Sequence, residues 1–179
     1  SCLALYHFFK DKNDVNIISP NEYTDILNFL PGSDNVIVYD NDKEKSEDLF
    51  RNSDVIFTLD FNSLGRARNL SNLISSSSAK IIMIDHHENP DNYPNIMISD
   101  SKMSSTCEMV FDSICAIDNK KIDTDIATCL YTGIVADTGS FRFPSTTSKT
   151  LKVGSELINY GVNITEIFEK LYNNFQFKR

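Results

Sequence analysis

Three adjacent residues, Asp85-His86-His87, concentrate the chemistry of this chain. They follow directly on the apolar run Lys80–Ile84, and they hold two of the three histidines in 179 residues. Asp60 stands in the same way after the run Val55–Leu59. Asp137 closes the apolar stretch Thr124–Ala136 and opens the turn Thr138-Gly139-Ser140. Hard divalent cations such as Mn²⁺ and Mg²⁺ take carboxylate oxygens, and an imidazole among the ligands shifts the preference toward Mn²⁺ or a similar transition metal. Paired ions bind a phosphoryl oxygen, lower the pKa of a water and hold the leaving oxygen in line. A carboxylate beside a ligating histidine commonly accepts its second N–H and fixes the ring, and Asp85 is placed for that role. Taken singly, Asp60 and Asp137 read more readily as a turn residue or a helix cap than as ligands. His7 lies in an amphipathic stretch, Ser1–Lys10, and reads as a packed or surface residue.

The elements that must hold these residues alternate. Short β-branched runs occur at Val15–Ser19, Asn35–Tyr39, Val55–Leu59, Lys80–Ile84 and Ile96–Ser99. Most are nearly continuous apolar stretches, as expected of strands covered on both faces. Helical patterns fall between them at Glu22–Leu30, which Pro31-Gly32 stops, at Lys43–Arg51 and at Arg66–Ser75. This rhythm predicts an α/β fold with a mostly parallel sheet and helices on both faces. Ligands of such sheets bind outside the carboxyl ends of the strands, where Asp60 and Asp85 stand. After Ser99 the pattern becomes helical: Thr106–Ala116, with Ser105 and Glu108 as a capping box, then Thr124–Ala136, Lys149–Tyr160 ending at Gly161, and Ile164–Asn174 capped by Asn163. One domain, residues 1–179, is expected.

Composition sets outer limits. The net charge of −8 argues against broad electrostatic binding to duplex DNA, which needs a basic face, and leaves a small anionic substrate open. Apolar runs fall short of the roughly 18 residues that span a bilayer, and no signal-peptide pattern appears, so a cytoplasmic protein without a membrane partner is expected. Cys2, Cys107, Cys115 and Cys129 form no C-x-x-C pair and read as small hydrophobes.

Taken together, the segments resemble a known family. Ile81-Ile82-Met83-Ile84-Asp85-His86-His87 is similar to the signature of the DHH phosphoesterases, and Phe57-Thr58-Leu59-Asp60 resembles their second motif. Gly133-Ile134-Val135-Ala136-Asp137-Thr138-Gly139-Ser140-Phe141-Arg142-Phe143 resembles the fourth, and Ser104-Ser105-Thr106-Cys107-Glu108 the helix start between them. Order and spacing agree over nearly the whole chain. The Phe-Arg-Phe ending looks most like the nanoRNase and phosphoadenosine-phosphate phosphatase branch. That branch hydrolyses very short RNA and removes the 3′-phosphate of 3′-phosphoadenosine 5′-phosphate. The resemblance implies that Asp60 bridges two Mn²⁺ ions, with Mg²⁺ or Co²⁺ as substitutes, and that His86 and Asp137 ligate the second. It implies that Asp85 is a ligand or an orienting group and that His87 contacts the scissile phosphate. Arg142, and more weakly Arg66, are further phosphate-contact candidates. The expected partner is a short single-stranded RNA or small nucleotide, and a homodimer is left open.

Two parts of the family pattern have no counterpart: the first motif, a strand with a His-x-Asn-Pro-Asp-Gly-Asp-type loop, and the C-terminal substrate-binding domain. The expectation is a catalytic domain truncated at both ends, inactive or nearly so by itself. Inorganic pyrophosphatase, exopolyphosphatase or cyclic-dinucleotide phosphodiesterase activity is the enzymatic alternative. A catalytically dead nucleotide-binding module is the alternative of another class.

Overall fold

A computed structural model of the chain describes residues 1–172. It opens with α1 (Cys2–Phe9), then β1 (Ile17–Ser19), β2 (Val36–Val38), α2 (Lys43–Asn52) and β3 (Val55–Leu59). A 3₁₀ segment (Leu64–Leu70) leads into α3 (Ser71–Ser76), β4 (Lys80–Asp85) and β5 (Ile96–Ser99). Four helices complete the described chain: α4 (Thr106–Asp118), α5 (Thr124–Asp137), α6 (Ser148–Ile158) and α7 (Ile164–Tyr172). All five expected strands form, and every pairing is parallel.

The register of the central sheet places the chemistry. In the order β3-β4-β5, Leu59 pairs with Ile84 and Asp85 with Ser99, so Asp60 and the Asp-His-His run emerge at one strand end. Side chains alternate across a strand, and β3 uses both faces. Leu59 and Ile84 join a core with α1, α4, α5 and α6, while Ile56 and Ile81 join a second core with Phe50 of α2 and Leu70 and Ile74 around α3. Close approach within the first core needs Gly133: a Cβ there would come within 2.1 Å of the Cys107 Sγ. Cys107 and Cys129 are buried and all four cysteines are free, whereas Cys2 is exposed. His7 is a packed histidine whose Nε2 donates to the Pro31 carbonyl at 2.9 Å.

The expected single sheet is divided. Among the described residues β1 pairs only with β2, and β3 begins a separate three-stranded sheet. Between the facing edges of β1 and β3 runs a groove of about 680 Å³, walled by Ile17 and Ile18, by Val55 and Phe57, and by Leu5 and Phe9 of α1. Val55 and Phe57 are 45% and 37% exposed there. Such strand edges carry unpaired backbone donors and acceptors.

Two helices differ from the pattern. Glu22–Leu30 yields only a 3₁₀ turn at Asp25–Leu27, capped by the Thr24 hydroxyl, before Pro31 and left-handed Gly32 (φ 81°) turn the chain. So short a window cannot pay for helix nucleation without a buried stripe. Arg66–Ser75 breaks at Arg68, whose backbone lies at φ 52°, ψ −122°. Ala67 and Leu70, three residues apart, are buried by the 3₁₀ segment, and α3 then buries Ile74. Asn163 accepts from the Glu166 N–H and starts α7 as expected, and residues 173 and 174 of that predicted helix lie outside the described residues. Gly161 (φ 88°) follows α6 in the left-handed conformation. Among the described residues, no helix is long and apolar enough to cross a membrane.

Candidate metal centre

Asp60 leaves β3 with a left-handed backbone (φ 69°), an arrangement that short polar side chains tolerate best. Its amide donates to the Ile84 carbonyl at 3.1 Å, which ties the turn to β4. The Thr106 hydroxyl, in the first turn of α4, donates to Asp60 Oδ1 at 2.9 Å. Asp60 is therefore aimed from two elements.

The two histidines are set by different partners. His86 Nδ1 lies 3.2 Å from the Met103 carbonyl, which can only accept, so the proton sits on Nδ1 and the Nε2 lone pair is free. That Nε2 lies 3.6 Å from Asp60 Oδ1. His87 Nδ1 lies 2.7 Å from Asp85 Oδ1, and the His87 amide donates to Asp85 Oδ2 at 2.9 Å. Asp85 is 0% exposed, and both of its carboxylate oxygens face His87. Of the two roles open to Asp85, the geometry fits the orienting one, and the ring it orients is His87.

One ligand atom each from Asp60, His86 and His87 fall within 4.8 Å of one another, the one such group among the described residues. Ligand atoms about 2.1 Å from a small divalent cation stand about 3 to 4 Å apart, so a small closure would suffice. Two imidazoles with free lone pairs and a carboxylate match the donor preference of Mn²⁺. His87 belongs to this group by geometry, although the resemblance assigned it to the phosphate.

Asp137 ends α5 beside the group. Burial of its carboxyl, then the nearby Asp60 carboxylate, push its pKa up from 3.8 to about 6, against the pull of His86, the amino terminus and His87. By surface area the residue is exposed, so water screens the carboxyl and the loss of hydration is only partial. Beyond it the chain turns back through Gly139, Ser140 and Phe141 at φ 55°, 64° and 62°. Ser140 N donates to the Val135 carbonyl at 2.8 Å and Arg142 Nε to the Gly139 carbonyl at 2.6 Å. Arg142 is exposed on this turn, and Arg66 is exposed on the 3₁₀ segment. Among the described residues, neither makes a hydrogen bond or ion pair with the Asp60–His86–His87 group.

The sequence reading missed the residues behind the ligands. Ser105 Oγ caps α4 by accepting from the Glu108 N–H at 3.1 Å, but the Glu108 carboxylate does not return to the Ser105 amide as a capping box requires. It binds Ser104 instead. The polar cluster Ser104-Ser105-Thr106 was the available signal.

The DHH family, N-terminal domain, matches residues 1–134. The chain is 43% identical over 100 residues to the bifunctional oligoribonuclease and PAP phosphatase NrnA of Bacillus subtilis, covering 54% of this chain and 31% of that protein. With the NrnA of Thermus thermophilus, of the same name, identity is 37% over 91 residues, 51% of this chain and 28% of the relative. The matches thus span about a third of these relatives' length. An exopolyphosphatase-related protein of Bacteroides fragilis superposes with a TM-score of 0.93 at 38% identity, over 97% of this chain and 52% of that one. With the strand-end Asp60, the Asp85-His86-His87 run and the helix start at Thr106 all inside the matched region, this chain belongs to the DHH family.

Proposed function

We propose that this chain is the metal-binding part of a phosphoesterase that hydrolyses short oligoribonucleotides, 3′-phosphoadenosine 5′-phosphate, or both. The observation that carries the reading is the group Asp60, His86 and His87 at the ends of β3 and β4, with both rings fixed by acceptors on Nδ1. The B. subtilis and T. thermophilus relatives bear names for these two activities. A bound divalent cation supplies Lewis acidity at a phosphoryl oxygen and makes a water acidic. The chain's own part is to place donors. Asp60, His86 and Asp137 would hold the cation. His87, kept with Nε2 outward by Asp85, would either complete that set through its Nε2 lone pair or, protonated on Nε2 as well, donate a hydrogen bond to a substrate phosphate. Arg142 offers a charge at the rim.

Asp60, His86, His87 and Asp137 would give two ions of about six ligands each few protein ligands, which leaves most positions to water or to groups from other segments. We therefore propose that further ligands come from a segment seated in the groove between β1 and β3, and that the 179-residue chain alone is inactive or nearly so. A second reading, an inorganic polyphosphate substrate, has the name of the B. fragilis neighbour in its favour.

The test is to load metal-free protein with Mn²⁺ and offer an RNA dinucleotide, 3′-phosphoadenosine 5′-phosphate and polyphosphate in parallel, in this chain and in a longer form that fills the groove. Turnover of either nucleotide by the longer form, lost in His87→Ala, supports the proposal. Turnover of polyphosphate alone selects the second reading. Mn²⁺ binding without turnover of any of the three, or no Mn²⁺ binding, overturns both.

A further inference from the structure

We infer that Glu108 is a positioning residue for the metal centre: it locks the segment Met103–Thr106, which fixes the tautomer of His86 and the aim of Asp60. The inference rests on the metal-centre reading above and adds a residue that touches neither ligand.

Glu108 is 1% exposed. Its Oε2 accepts from the Ser104 amide at 3.2 Å, from the Ser104 hydroxyl, and from the Thr150 hydroxyl of α6 at 3.1 Å. Its Oε1 is buried and has no hydrogen-bond partner among the described residues. A buried carboxyl with one oxygen left over is a costly way to fill space. Capping is not its task either, because the cap of α4 is the Ser105 hydroxyl on the Glu108 amide. The carboxyl holds Ser104, the residue between Met103 and the cap.

Both ends of the held segment serve the site. The Met103 carbonyl takes the His86 Nδ1 proton, and the Thr106 hydroxyl binds Asp60. Without the carbonyl in place, His86 has another option: a proton on Nε2, pointing at Asp60 Oδ1 3.6 Å away. That tautomer blocks the lone pair a cation needs. Glu108 therefore acts by removing a competitor for the site. Thr150 sits in the first turn of α6, so the same carboxyl also ties the start of α4 to α6.

The test reads the ring nitrogens by ¹⁵N NMR in metal-free protein with neutral histidines, and Mn²⁺ affinity separately. The wild-type chain is expected to show His86 protonated on Nδ1. In Glu108→Ala the Nε2–H form should appear and Mn²⁺ affinity should fall about tenfold, as for other groups that orient ligating histidines. Glu108→Gln, which keeps an acceptor for Ser104, should restore most of both. Ile114→Val, a packing change in α4, should lower stability and leave the tautomer alone. If Glu108→Ala does not fold, Ser104→Ala replaces it, with the same shift expected. A folded Glu108→Ala or Ser104→Ala with unchanged tautomer and affinity overturns the inference. If Mn²⁺ binds to no form while the tautomer still follows Glu108, the metal-centre reading fails and the positioning role stands.

Discussion

The proposed centre has two halves built on opposite principles. In the strand-end half, the described side chains are satisfied: Thr106 on Asp60, Met103 on His86, Asp85 on His87. In the helix-end half, the Asp137 carboxylate makes no hydrogen bond among the described residues and feels the Asp60 carboxylate. One half is organised before any ligand arrives. The other stores unfavourable charge that a cation would relieve. Metal sites need both: rigid donors for geometry and uncompensated charge for affinity.

The largest expected effect breaks the rigid half outright. Asp60→Ala removes the carboxylate that both Thr106 and His86 face, and Mn²⁺ affinity measured by calorimetry should fall about a hundredfold or more. Loss below tenfold would mean that the strand end does not hold the cation. Asp85→Asn comes next. It keeps the shape of a buried side chain but puts a donor where the His87 ring needs an acceptor, so His87 should lose its fixed tautomer and turnover should drop about ten- to a hundredfold with the fold intact. An unchanged His87 spectrum would refute the orienting role.

The unsatisfied half predicts a pH signature of the opposite sense. Asp137 holds its proton more tightly folded than unfolded, so its contribution to stability is full below pH 3.8 and is lost as pH rises through about 6. Metal-free protein should therefore lose stability over that window, measured by chemical unfolding, and Asp137→Asn should flatten the loss while weakening Mn²⁺ binding. A variant less stable than wild type at neutral pH would contradict this. The smallest effect is expected from Arg142→Ala. With its Nε on a backbone carbonyl and its head at the rim, it should raise KM a few-fold and leave Mn²⁺ affinity unchanged. A loss of Mn²⁺ affinity would place Arg142 in the centre itself.

Most of the frame was legible in the sequence. Continuous apolar runs ending in Asp60 and Asp85 marked parallel strands and their binding edge, because buried strands need apolar residues on both faces. The ligating types stood out because histidine is scarce here. What escaped was of two kinds. Carbonyl partners such as that of Met103 have no residue-type signature. The Glu108 pattern was visible but pointed to the commoner local motif, a capping box, when a tertiary contact with Thr150 decided its direction. The kink at Arg68 and the gap between β1 and β3 escaped for a related reason: each depends on what packs against the segment, not on its own period.

The most direct test of the account is Mn²⁺ titration of the metal-free chain followed by electron paramagnetic resonance, alongside ¹⁵N-labelled histidine. The account predicts bound Mn²⁺ with nitrogen couplings from His86, and from His87 if it completes the ligand set, both lost in Asp60→Ala. Free Mn²⁺ throughout the titration, or bound Mn²⁺ without histidine nitrogen coupling, would contradict it.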